Sequence, residues 1–519
     1  MPSVHPPSDQ VDRAAVGLDR KAVLRHTAHY AGATYVSQAL TAVRSFINAR
    51  WLGPELYGFW GSISFILSFG YHLHGGVQAI LAKEIPTERS QGRLDQAARA
   101  SQLGLSWFGM MLLLATIALW VVAWRLPPGT PALVRAGWMM AGVILPLEVI
   151  REYERVIARA EQRFGDVSLG LFVEVLVSLT LTAWLVTHYR LAGLLIVATI
   201  TPIVGMWILH RHAAYRWRFV WSWRELWPMM RAGWPILAMT LVFEAMGWVD
   251  RVLVLSFVGV TGFGLYALAA VLAQCCFVFP QVMSSVIEPL VYFDYARHKQ
   301  PKHMQEHVWF PLRTLAYLMP MGLAIADLVL PWAIRRWLPA YIPSIAVMRV
   351  LIWGSVFMGL AFSTKALIVA LGEQHRVLIF YLIAIATNLL VGWTLAHHGW
   401  GLIGIAFGTV IAYVVCCTEL LVFALRRLGW SGRQIATRII LLYVPTFVAW
   451  VGTVELPQAV ARVMGWPAQA IWAVRLVAVA GFVAAVVAQL RRHAHRDGLR
   501  EQRYAASLVA AIASREVLA

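Results

Sequence analysis

Residues 49–61 read ARWLGPELYGFWG: an Arg-Trp pair runs into a Gly-Pro break, and aromatics separated by glycines follow. Shifted by 206 positions, the stretch falls on FVGVTGFGLYALA, residues 257–269, with Gly53 on Gly259, Tyr57 on Phe263, Gly58 on Gly264 and Trp60 on Tyr266. Gly53-Pro54 reads as the turn of a helical hairpin, with Trp51, Tyr57 and Trp60 at headgroup level and Gly58 open to close packing. A second match, at a shift of 211 to 212, lays RAEQRF and YRLAGLLIVATIT on ALGEQHR and GWGLIGIAFGTVIA. It puts Glu161-Gln162 on Glu373-Gln374 and Gly193 on Gly404. Both shifts carry a helix onto the one six places later. Six is even, so the two copies share one orientation and are related by an axis along the membrane normal.

The surrounding sequence supplies the helices. Of 519 residues, 60% are hydrophobic and only 13% charged; the mean hydropathy is +0.65. This is too apolar for a soluble multidomain chain. Stretches of roughly 20 apolar residues recur along nearly its whole length, and about fourteen of them are long enough to span a bilayer. They are continuous runs, unlike the alternating strands of about 10 residues in a membrane barrel. The expectation is an all-α polytopic membrane protein. Its parts are a tail at 1–26, a first lobe of helices 1–6 at 27–209, a linker at 210–231, a second lobe of helices 7–12 at 232–424, two extra helices at 436–489 and a tail at 490–519. The two vicinal cysteine pairs, Cys275-Cys276 and Cys416-Cys417, lie inside spans and read as small packing residues.

The net charge of +18 follows from where the arginines fall. They alternate from loop to loop: Arg89, Arg93 and Arg99; Arg151, Arg155, Arg159 and Arg163; Arg211 to Arg231; Arg297, Lys299 and Lys302; Arg426 to Arg438; and the C-terminal tail share one side. The bias sets both termini in the cytoplasm and attracts anionic headgroups. It leaves no basic stripe with interleaved aromatics outside the membrane, so nucleic acid is not an expected partner. The first 26 residues carry no apolar core with a cleavage site and read as a cytoplasmic tail.

RSFINARWLGPELYGFWGSISFILSFG, GGVQAILAKEIP, GEQHRVLIFYLIAIATNLLVG and HGWGLIGIAFGTVIA resemble the oligosaccharide flippases of the MATE, polysaccharide transporter and lipid II flippase superfamily. The resemblance spans about residues 25 to 430 and is specific for the superfamily. It implies a V-shaped pair of helical lobes around a cavity in the bacterial inner membrane. It further implies cytoplasmic loading and periplasmic release of an undecaprenyl-diphosphate-linked oligosaccharide, a polysaccharide polymerase complex as a protein partner, and no cofactor.

Charges inside spans mark the candidate site, because one at mid-bilayer costs about 2.5–3.5 kcal/mol on insertion scales unless it meets a partner or a watery cavity. Arg44 lies in the first helix, and the repeat places Asp250, with Arg251 beside it, at the matching position of the seventh. Guanidinium groups bind diphosphate oxygens in two-pronged fashion, so Arg44 and Arg251, extended by Lys365 and Arg349, are expected to line a headgroup cavity. Arg313 would extend that lining too, but Arg313, Arg135 and Arg349 sit near helix ends, where snorkelling to an interface is the better reading. Glu244, seven residues before Arg251 and so on the same helix face, is with Asp250 and Asp327 a candidate for coupling a proton or sodium ion. Glu174 and Glu419 are the remaining membrane carboxylates. His72 and His74 diverge by about 200° on a helix and complete no metal site.

No phosphate loop, Gly-x-Ser-x-Gly or HExxH motif is present, which argues against an enzyme or an ATP-driven pump. Three alternatives stay open at this level. A cation-coupled multidrug exporter would want a carboxylate in the first helix, which has Arg44 and none. A membrane glycosyltransferase or ligase would want a long outer loop carrying its chemistry. A lipid II flippase is not separated by charge.

Overall fold

The computed structural model describes residues 20–298 and 304–496. Among them the chain is helical throughout, with no strand, as a chain in lipid must be when its backbone polar groups are satisfied internally. We number the helices α1 (Arg20–Gly70), α2 (Val77–Ser90), α3 (Leu94–Arg125), α4 (Ala132–Ala160), α5 (Phe164–Leu181), α6 (Thr187–His210), α7 (Trp223–Phe257), α8 (Gly259–His298), α9 (Gln305–Trp337), α10 (Ser344–Ala370), α11 (Gln374–Leu395), α12 (Gly401–Arg427), α13 (Gly432–Trp450), α14 (Leu456–Met464) and α15 (Ala468–Arg496). The expected tails lie mostly outside the described residues, as do Lys299 and Lys302. Residues 20–26 are already part of α1.

Nine stretches among the described residues are long and apolar enough to cross a membrane. Two of them, Phe164–His210 and His375–Arg427, contain 47 and 53 residues. Drawn straight they would reach about 70 and 80 Å, more than twice a hydrocarbon core of about 30 Å. Each is broken instead. A π-helical turn (Thr182–Val186 or Ala396–Trp400) is followed by a residue with reversed backbone, Arg190 at φ 49°, ψ −122° and Gly401 at φ 52°, ψ −135°. α5 then packs on α6 and α11 on α12. The two breaks are 211 residues apart. The opening stretch behaves likewise: Gly53 interrupts α1 at φ 72°, and Gly259, 206 residues on, separates α7 from α8 at φ 81°.

The turns after α4 and α10 repeat at a slightly different spacing. Arg163 N–H donates to Ala158 O around Gln162 at φ 61°, and Glu373 N–H donates to Ile368 O around Gly372 at φ 73°. The spacing is therefore 210, two short of the 212 that aligns the Glu-Gln pairs. The left-handed residue fixes the register of such a turn, whatever the neighbouring side chains.

α1 meets α8 backbone to backbone. A Cβ added to Gly58 would lie 2.0 Å from Val260 O, and one added to Gly264 would lie 1.9 Å from Pro54 O and 2.9 Å from Gly58 N. The two glycines that correspond in sequence thus touch one another. A second such contact joins the α1–α2 turn to α7, where a Cβ on Gly233 would lie 2.1 Å from Gly76 O. Without a hydrophobic force between helices in lipid, close approach at small residues is what gives an interface its attraction.

The α1–α8 seam gives the first prediction. Gly264→Ala should destabilise the detergent-purified protein by at least the ~1–3 kcal/mol of core overpacking, read as a clear fall in melting temperature. Gly481→Ala, whose Cβ would enter open space, should leave the melting temperature unchanged.

Candidate functional site

Two cavities meet at one residue of α7. The inner one, of about 390 Å³, is enclosed by α7, α8, α10 and α12 and touched by Ser68 of α1. Into it α7 presents Glu244 and Arg251, α8 presents Gln274 and Gln281, and α12 presents Thr409 and Tyr413. Asp250 also borders it, but its carboxylate is fixed: Tyr266 Oη donates to it at 2.8 Å and the Arg251 N–H at 2.7 Å. The Arg251 guanidinium lies 5.9 Å over the Phe65 ring, and Lys365 Nζ lies 5.7 Å over Phe243, whose ring lines the same cavity. Neither cation makes an ion pair among the described residues. Each is held by an aromatic face, which leaves its N–H donors for a ligand.

The outer cavity, about 1000 Å³, runs between the α1–α2 turn, α2, α4, α5 and α7 as far as Gln162 and Phe164 at the α4–α5 turn. Tyr71, His72, Gln78, Glu152, Arg159 and Glu244 are among its lining residues. Glu244 therefore stands at the junction of the two. Across from it, His72 Nε2 lies 3.6 Å from Glu244 Oε2, while His72 Nδ1 sits 3.2 Å from Ser68 O. A carbonyl only accepts, so Nδ1 carries the hydrogen and Nε2 faces the carboxylate. The two groups thus face each other within ion-pair reach, beyond the distance of a direct hydrogen bond. His74 points elsewhere: its Nδ1 accepts the Gly76 N–H at 2.9 Å and its ring stacks on Phe108.

The profile of a family described as polysaccharide biosynthesis protein matches residues 47–334, 288 of the 519 positions. The chain belongs to that family. Solved structures with the same fold include an inward-facing multidrug resistance MATE family transporter of the MOP superfamily, at TM-score 0.63 and 14% identity over 78% of this chain and 95% of that one. The lipid II flippase MurJ, in an inward closed conformation, matches at TM-score 0.63 and 14% identity over 89% and 99%. A Vibrio cholerae MATE transporter matches at TM-score 0.52 and 16% identity over 80% and 98%. No curated protein matches the sequence.

Other charges of this polysaccharide biosynthesis protein serve its packing. Arg44 lines neither cavity: its Nη1 donates to Ser178 Oγ on α5. The repeat register explains this, because Arg44 corresponds to Asp250, which also turns into its own half, whereas Arg251 lies about 100° further round the helix. Asp327 and Arg349 are likewise away from the cavities. Asp327, fully buried on α9, accepts from Arg349 Nε at 2.9 Å and from Arg475 Nη2 on α15. They form a triad that clamps α15 to α9 and α10, and neither Asp327 nor Arg349 lines the two cavities around Glu244. Arg151 and Arg155, placed by hydropathy in a loop, stand on α4, which runs on to Ala160. Both pair with the buried Glu174, and with Glu148 and Glu152 respectively. The signal was present in EVIREYERVIAR, where acids and arginines alternate at helical i,i+3 spacing. Arg475, a lone cation in an apolar span, was also legible as an intramembrane charge that requires a partner.

Removing one member of a buried ionic group strands the others and costs about 3–5 kcal/mol. Asp327→Asn should therefore lower the melting temperature far more than Asp327→Leu combined with Arg349→Met and Arg475→Met, which removes all three charges of the triad.

Proposed function

We propose that this protein is a flippase that moves undecaprenyl-diphosphate-linked oligosaccharide repeat units from the cytoplasmic to the periplasmic leaflet of a bacterial inner membrane, for surface polysaccharide synthesis. The observation that carries the reading is the inner cavity, where Arg251 offers a cation without an ion-pair partner among the described residues and Lys365 is held behind the cavity-lining Phe243, in a chain of the polysaccharide biosynthesis family. A diphosphate needs such donors, and the sugar's hydroxyls need the amide and hydroxyl groups of Gln274, Gln281 and Thr409 beside them in place of water. The prenyl tail stays in lipid.

The architecture we propose is fourteen crossings, two six-helix lobes related by an axis along the membrane normal, and two further helices at the C-terminus. The paired breaks at Gly53 and Gly259, and at Arg190 and Gly401, support it. So does the contact of Gly58 with Gly264. The large cavity reaching the arginine-rich end fits loading from the cytoplasm, with both termini on that side. The lobes rock about the seam, and the headgroup passes from the wide cavity to the cationic one. A cytoplasm-negative potential favours the outward movement of an anion by about 2.3 kcal/mol per charge per 100 mV. The contact of His72, in the α1–α2 turn, with Glu244 of α7 supports the proton over sodium as coupling ion, since an imidazole nitrogen is a poor ligand for a hard cation.

A second reading, a lipid II flippase, has in its favour the match to MurJ over 89% of this chain. The multidrug exporter reading has against it the absence of any acid in residues 27–50.

Two predictions test the proposal in proteoliposomes and in cells lacking the endogenous gene. Loss of a charge-assisted contact of about 1.5–3 kcal/mol should make Arg251→Ala flip the undecaprenyl-linked oligosaccharide about 10- to 100-fold more slowly at equal protein level, with Arg251→Lys partly restored. Unchanged flipping by the alanine variant would remove the cationic-cavity mechanism, and equal flipping of lipid II would favour the second reading. An imposed pH gradient should accelerate the wild type but not Glu244→Gln. Dependence on sodium without dependence on the pH gradient would exclude proton coupling.

A further inference from the structure

The arginine-rich end carries a second basic site, remote from both cavities. Between α9, α13 and α15 lies a pocket of about 750 Å³ lined by Trp309, Arg313, Arg433, Gln434, Thr437 and Arg438, among others. Its lower wall is apolar: Tyr317, Leu441 and Leu442. Gln305 Nε2 donates to Leu428 O at 2.7 Å and ties the start of α9 to the turn that precedes α13, which fixes the two mouths of the pocket against each other.

Arg438, which makes no ion pair among the described residues, is held by two indoles. Its Cζ lies 3.9 Å from the centre of the Trp430 ring and 4.3 Å from that of Trp309, with the two indoles at 80°. Cation–π contact immobilises the guanidinium, while its N–H donors, which lie in the plane of the group, stay available. The arginines of α4 are the contrast. There Arg151, Arg155 and Arg159 are each matched by glutamates, whereas Arg433 and Arg438 make no ion pair among the described residues and no described lining residue of their pocket is a carboxylate.

Two indoles at the membrane interface, guanidinium and hydroxyl donors at one end and leucines at the other are the chemistry of an amphiphile with an anionic head. Free inorganic phosphate would satisfy the arginines and leave the Leu441 wall bare, and Leu441 is itself 53% exposed toward lipid. We infer that this pocket binds the phosphate headgroup of an anionic membrane lipid, with an acyl or prenyl chain lying along α13. The ligand chemistry is a lipid phosphate. Its two sources are the bulk anionic phospholipid of the leaflet and a polyprenyl phosphate or diphosphate carrier. The site does not depend on the transport reading, since it stands on α9, α13 and α15 alone.

The test uses the full-length protein in nanodiscs, with bound lipid counted by native mass spectrometry after exchange into detergent. Wild type should retain phosphatidylglycerol at least tenfold over phosphatidylcholine, and Arg433→Gln/Arg438→Gln should lose that preference. Arg433 is exposed, so Arg433→Gln alone keeps the packing intact and should show an intermediate loss even where the double variant folds poorly. Arg99→Gln, at the same end but paired with Glu225, should retain lipid as wild type does. Displacement of phosphatidylglycerol by undecaprenyl phosphate at equimolar concentration assigns the pocket to the carrier. Failure to displace it assigns the pocket to the phospholipid. Equal retention by wild type and the Arg433 and Arg438 variants, an equal loss in Arg99→Gln, or retention of inorganic phosphate with no preference between the lipids would each overturn the inference.

Discussion

The contact of Gly58 with Gly264 is the constraint on which the rest of the structure depends. Lipid solvates apolar side chains as well as another helix does, so only atoms brought nearer than side chains allow give a lasting attraction. That seam holds α1 against α8 at one end, and Gly76 against Gly233 holds the α1–α2 turn against α7 further along. Between the two contacts the helices have no freedom to slide. His72 of the α1–α2 turn is thereby presented to Glu244 of α7, and the space left over becomes the two cavities.

Within so apolar a chain, every ionisable group has to be accounted for, and a few solutions recur. Some are neutralised in pairs or triads, as Asp327 is by Arg349 and Arg475 or Glu174 by Arg151 and Arg155. Others are covered on a face by an aromatic ring: Arg251 by Phe65, Lys365 by Phe243, Arg438 by Trp309 and Trp430. The remainder are held by neutral hydroxyls, as Arg44 is by Ser178 and Asp250 by Tyr266, or look into a cavity. Paired groups are structural because their bonding capacity is spent internally. Ring-covered cations keep their donors, which is why both the candidate transport site and the lipid pocket are built around them.

Much of this was legible in the sequence, and the exceptions have identifiable physical causes. Hydropathy found the spans because a bilayer demands them, and the Gly-Pro break and its copy marked the turns because only glycine accepts that backbone without strain. Hydropathy also left Arg151 and Arg155 in a loop, since it scores an arginine as exposed whether or not a glutamate one turn away neutralises it. The sequence match fixed which residue corresponds to Arg44, but a spacing off by one is a rotation of about 100°. The proximity of Arg251 to Asp250 in the chain therefore said little about a shared direction with Arg44. The pairing of His72 with Glu244 joins residues 172 positions apart and left no local trace. Arg190 is the opposite case. Its backbone is one that glycine adopts at Gly401, and nothing in its side chain announces it.

The glycine seam has a consequence of another kind. In the proposed duplication Gly58 and Gly264 are the same residue counted twice, and each rests on the other. An element that touches its own image lies on the symmetry axis, which is the defining property of an isologous interface. Before fusion, the half-length ancestor would have met a second copy of itself through this one glycine. Any change there would have struck both faces of the dimer at once. The modern chain, with the two positions encoded separately, is free to alter one and keep the other, and so to let its halves diverge around a pivot inherited from a homodimer.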